Sequence, residues 1–126
     1  MPTHIHHGSY RHREGYKGAI ALLQEGVTAL IAGDSMMTAG ALEACHNAGK
    51  RIGEEIALVG FDDFIYLRFQ PSPISVVDQD VARMGETATA KLIAAINDKH
   101  QPEGEVLETR YIPRMSTAHQ LDGATP

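Results

Sequence analysis

Three short apolar runs set the limits on how this chain can fold: Val27–Ile31, Ile56–Val59 and Ile74–Val77. Ile56-Ala-Leu-Val59 is continuous, the pattern of a strand covered on both faces. Between and around the runs lie helix-like segments. Tyr16 to Leu23 carries apolar residues at i, i+3, i+4 and i+7, and Gly26 suits a left-handed C-terminal cap. Met36 to Ala48 is rich in small residues and ends at Asn47 and Gly49. The longest helix is expected over Val81–Asn97, with Asp80 as its N-cap and a stripe of Val81, Met84, Ala88, Leu92 and Ala95. Glu105 to Ile112 has weak strand character, and the last dozen residues read as frayed. Strands alternating with helical connections predict a three-layer α/β fold, with a mainly parallel sheet between flanking helices. The first helix has no strand before it.

A chain of 126 residues fits one modest domain. Its bounds read as a flexible polar tail over 1–14, a folded unit over 15–117 and a flexible tail over 118–126. Eleven Lys and Arg against sixteen Asp and Glu give a net charge of −5, which argues against a phosphate-coating surface. No stretch approaches the roughly 18–20 apolar residues of a membrane helix, so no membrane partner is expected. The N-terminus lacks the apolar centre of a secretory signal, and the single cysteine, Cys45, has no internal partner. A cytoplasmic location follows as the expectation.

Ligands of open α/β sheets gather beyond the carboxyl ends of the strands. Two such ends carry acids here: Asp34 after the first run, and Asp62-Asp63 after the second. In parallel strands both acidic turns face the same edge, where carboxylates can accept hydrogen bonds from ligand hydroxyls. Tyr10, Phe61, Phe64 and Tyr66 are the aromatic rings available to cover the apolar face of a sugar. The plainer duty of an acid after a strand is an N-cap or an Asx turn, and for Asp34 capping is the expectation. His4-x-His6-His7 could hold a divalent metal in principle, but a polar tail accounts for it better, and no metal or cofactor is expected. Gly33-Asp34-Ser35 has the outline of a serine-esterase block. No histidine lies three residues after an aspartate to serve as its base, and an enzyme is not expected.

Four co-linear segments carry a family resemblance. Ala29-Leu-Ile-Ala-Gly-Asp34-Ser-Met-Met-Thr-Ala-Gly40-Ala-Leu, Ala48 to Asp63, Pro73 to Gly85 and Tyr111 to Thr117 together resemble the effector domain of LacI/GalR-type transcription factors. The resemblance implies part of a periplasmic-binding-protein-like (type I) fold, the C-terminal portion of a sugar-responsive regulator. Such a domain binds a sugar or related metabolite between two lobes and forms homo-oligomers. Operator DNA would be reached only through a helix-turn-helix head absent from these residues. By the resemblance, Asp62 is the acid that bonds effector hydroxyls, and Tyr10 supplies a covering ring. Gly33 stands where an amide-bearing Asn often does, Gln79 lies at the crossing between lobes, and Asp34 and Phe61 complete the effector set. The pairing surface falls on Met36, Met37, Ala41, Phe64, Tyr66 and Leu67. The helix at 81–97 loses its usual lobe, so it must pack on the sheet, on another copy, or stay exposed. A sugar-binding protein of a transport system shares the fold and is the alternative reading.

Overall fold

The computed structural model describes residues 4–98 and 101–122. The elements run α1 (His12–Gln24), β1 (Ala29–Ile31), α2 (Ser35–Asn47), β2 (Ala57–Phe61), α3 (Ile65–Arg68), β3 (Ser75–Asp78), α4 (Val81–Asp98), β4 (Arg110–Ile112) and α5 (Met115–Asp122). The strands form one sheet in the order β1-β2-β3-β4. β1, β2 and β3 are parallel, with Leu30 beside Leu58 and Gly60 beside Val76. β4 runs antiparallel to β3, with Val76 beside Ile112. This is the α/β class that the alternation predicts.

The core forms where α1 and α2 lie against the sheet, around Ala19, Leu30, Ala41, Ala44, Cys45, Leu58 and Val76. The small residues of α2 allow a tight crossing with α1. A Cβ on Gly40 would stand 2.5 Å from the Tyr16 nitrogen, and one on Gly15 would stand 2.5 Å from Met37 Cα. Only glycine fits at either position, so the two helix backbones meet almost directly. The other face of the sheet is open at β1, where Ala29 and Ile31 are exposed. Among the described residues, no helix is long and apolar enough to cross a membrane.

Four details depart from the sequence expectation. α1 starts at His12, so His12, Arg13 and Glu14 belong to the helix and not to a tail. Residues 4–11 have no helix or strand, yet His4 pairs with Glu25, and the His6 ring lies against Gly18. β4 is only Arg110–Ile112. Its register runs out at Asp78, the end of β3, so positions before Arg110 have no strand to meet.

The third departure is at the C-terminus, where the polar composition hides an anchored helix. Ser116 and Thr117 of α5 are buried. Ser116 Oγ donates to the Leu58 carbonyl (2.6 Å) and accepts from the Ser75 N–H (2.8 Å). The Ser75 and Thr117 hydroxyls share a 2.7 Å hydrogen bond. Residues 123–126 of the expected tail lie outside the described residues. The fourth departure concerns α4. Asp80 caps it as expected, its Oδ1 accepting from the Arg83 N–H (3.1 Å), but the helix has no buried residue, and Val81, Met84 and Leu92 of its apolar stripe are exposed.

Candidate functional site

The parallel register brings the ends of β1 and β2 to one edge of the sheet, as the two acidic turns require. The two acids do different work there. Asp34 Oδ1 accepts from the Met36 N–H (2.8 Å) and the Met37 N–H (3.2 Å), which makes it the N-cap of α2. Asp62 has φ +63°, a left-handed conformation that a non-glycine residue adopts only where its surroundings hold it. Its N–H donates to the Val77 carbonyl (2.9 Å), tying the turn to β3. The residue is only 7% exposed, and among the described residues its buried Oδ1 has no hydrogen-bond partner. A buried carboxylate oxygen without a donor is costly and sets Asp62 apart from an ordinary turn residue.

Asp62 lines a hollow of about 260 Å³ together with Asp63, Phe64, Arg68, Asp78, Asp80, Val81, Ala82 and Arg110. Enclosed ligand pockets run to roughly 300–1,000 Å³, so this is a shallow hollow and not a closed chamber. Larger hollows lie beside α1 and β1 (about 420 Å³) and beside α2 (about 530 Å³), and neither is lined by a buried acid.

Two of the other three carboxylates at the hollow, those of Asp63 and Asp78, are ion-paired, whereas Asp80 caps α4. Asp63 Oδ2 is 2.8 Å from Arg68 Nη2, and Oδ1 is 2.7 Å from Arg114 Nη2. Burial pushes the Asp63 carboxyl up, but the hydrogen bonds and charges of Arg68 and Arg114 outweigh it and hold the group below the usual carboxylate range. Asp78 Oδ2 stands 3.5 Å from Arg110 Nη2, and its Oδ1 accepts from the Asp80 N–H (3.1 Å).

Of the effector set implied by the resemblance, Asp62 alone lines the hollow, joined by Asp63 of the same acidic turn and by Phe64, one of the rings available to cover a sugar. Gln79 is half-buried between Asp78 and Asp80, which both line it. Tyr10 is 78% exposed, Gly33 is exposed and next to the α2 cap, and Phe61 uses its N–H on the Thr38 hydroxyl (2.9 Å). Arg68, Asp78, Asp80 and Arg110 were not foreseen there. The Asp78-Gln79-Asp80 turn after an apolar run was the signal for two of them. Nothing local signals Arg110, which arrives on an antiparallel strand.

The expected pairing surface is corrected at two positions. Ala41 and Leu67 are core residues, 5% and 0% exposed, so they are unable to meet another copy. Met36, Phe64 and Tyr66 are exposed, and Met37 is half-buried. The Phe64 and Tyr66 rings stack with centroids 6.0 Å apart, and Ile65 and Phe69 extend the same exposed apolar stretch. Burial, and then the Asp34 charge, push the Tyr66 phenol up.

Comparison with known proteins gives this geometry a context. The periplasmic binding protein-like domain matches residues 3–117. The HTH-type transcriptional regulator MalR of Streptomyces coelicolor is 30% identical over 115 residues, covering 90% of this chain and 33% of that protein. A probable LacI family transcriptional regulator from Corynebacterium glutamicum is 36% identical with a TM-score of 0.71, over 85% of this chain and 38% of that one. The transcriptional regulator CelR in complex with cellobiose is 28% identical with a TM-score of 0.76, over 86% of this chain and 34% of that one. The chain thus spans about a third of the length of the curated relative it matches. With the strand order and these matches in agreement, the chain belongs to the periplasmic-binding-protein-like domain family, in the form found in LacI-type transcriptional regulators.

Proposed function

We propose that this chain forms the ligand-sensing and pairing portion of a LacI-type regulator, with a small donor-bearing effector such as a sugar bound against Asp62. The observation that carries this reading is Asp62 itself: buried, held at positive φ, unpartnered at Oδ1 and set in a hollow at the carboxyl ends of β2 and β3. An arriving hydroxyl would donate to this carboxylate, and a charge-assisted bond of that type is about twice as strong as a neutral one. Asp34, Gly33, Tyr10, Phe61 and Gln79 act around this contact and not in it. Met36, Met37, Phe64 and Tyr66, with Ile65 and Phe69, provide the surface for a second copy. Operator contact belongs to a helix-turn-helix segment of the kind the MalR name denotes, outside the matched third.

Saturation-transfer NMR with cellobiose, lactose and their hexoses tests the site. Binding by the parent chain and its loss in Asp62→Ala are expected. Equal responses from both proteins would refute the role of Asp62. Sedimentation velocity tests the pairing: the parent chain self-associates, and Tyr66→Asp shifts it toward monomer. A parent chain that stays monomeric at high concentration would contradict the pairing.

A further inference from the structure

We infer that the hollow at the ends of β2 and β3 selects its ligand by charge, taking neutral or amino-bearing donors and rejecting phosphorylated ones. The inference rests on the effector reading above and adds to it the chemical class of ligand. Four carboxylates, those of Asp62, Asp63, Asp78 and Asp80, line the hollow against the two guanidinium groups of Arg68 and Arg110. Both cations already have partners. Arg68 Nη2 is 2.8 Å from Asp63 Oδ2 and also donates to the Asp63 carbonyl (3.4 Å). Arg110 is the more loosely held, 3.5 Å from Asp78 Oδ2. Arg114, which does not line the hollow, is 2.7 Å from the other Asp63 oxygen.

A phosphate entering here would have to draw Arg110 or Arg68 away from a carboxylate, leaving an acid unpaired beside Asp62, which has no donor at Oδ1. The start of α4 is the other feature that attracts anions, because the first N–H groups of a helix lack internal partners. That end is already capped by the Asp80 carboxylate. A hydroxyl or an ammonium group meets the opposite situation, because it brings a donor to a hollow that Asp62 lines with no cation paired to it among the described residues.

The test uses the full chain with matched probes: glucose, glucosamine and glucose 6-phosphate, and the same three forms of galactose. Each is titrated at low ionic strength by saturation-transfer NMR. We expect the amino sugar to bind at least as well as the neutral sugar, and the phosphate at least about tenfold more weakly, since a charge of like sign at close range acts strongly there. A phosphate that binds as well as its neutral parent overturns the inference and leaves the effector reading standing. Binding by none of the six overturns both. In Asp62→Asn, checked for fold by circular dichroism, the preference for neutral sugar over phosphate should shrink several-fold. An unchanged preference would overturn the assignment of the selectivity to Asp62.

Discussion

Gly60 of β2 and Thr38 of α2 are in direct contact. A Cβ at position 60 would stand 2.5 Å from Thr38 Cγ2, and the Thr38 hydroxyl accepts from the neighbouring Phe61 N–H while donating to the Asp34 carbonyl (2.8 Å). The strand that leads into Asp62 and the helix that Asp34 caps are thus fixed to each other by one threonine. Gly60→Ala should lower the unfolding free energy by about 1–3 kcal/mol, the usual cost of forcing an extra methyl into a packed core. Urea denaturation measures it, and an unchanged midpoint would show that the contact yields freely.

Asp34→Ala removes both side-chain bonds to the first turn of α2. A loss of about 0.5–2 kcal/mol is expected, with Asp34→Ser or Asp34→Asn recovering most of it, since both remain capping residues. A capping duty predicts little direct effect on sugar binding. If Asp34→Asn abolished binding while keeping stability, the acid would belong to the site after all.

Asp63 makes stability depend on pH. Its carboxyl titrates lower in the folded chain than in the unfolded one, so its contribution is full above about pH 4 and fades as pH falls through the folded value. Asp63→Asn should cost about 1–3 kcal/mol at neutral pH, because Arg68 and Arg114 lose their shared anion. The gap between the two proteins should then narrow on acidification. A gap that is constant from pH 6 to pH 2 would assign the loss to shape and not to charge.

Burial raises the Cys45 thiol to about 11, and the residue has no exposed surface. At pH 8 about one molecule in a thousand carries the reactive thiolate. Disulfide-exchange reagents should therefore label the native chain slowly and the urea-unfolded chain at the rate of a free thiol. Rapid labelling without denaturant would mean that α2 opens readily from the sheet.

The features that were legible in the sequence are those set by local pattern. Ile56–Val59 reads as a covered strand because every residue is apolar, and Asp34 and Asp80 read as caps because each precedes a helix-like run. The strand near the C-terminus was overdrawn, since its length depends on where β3 stops. Ser116 and Thr117 look frayed in the sequence because a hydroxyl is the same in water and in a buried bond to Leu58 or Ser75. At the site, Asp62 was found from its place after a strand, whereas Arg110 depends on a pairing partner 32 residues away. Ala41 and Leu67 illustrate the reverse problem: a motif that fits the pairing surface gives no indication of which way each side chain turns.

The hydroxyl contacts of α5 decide where this chain can be cut. Trimming or fusing the protein before Ser116 would strip the Ser75 amide and the Leu58 carbonyl of their partner at the middle of the sheet, although no apolar residue of the central cluster would be lost. A safe boundary for dissecting the domain is therefore set by two small alcohols, and an apolar-contact map would place it too early.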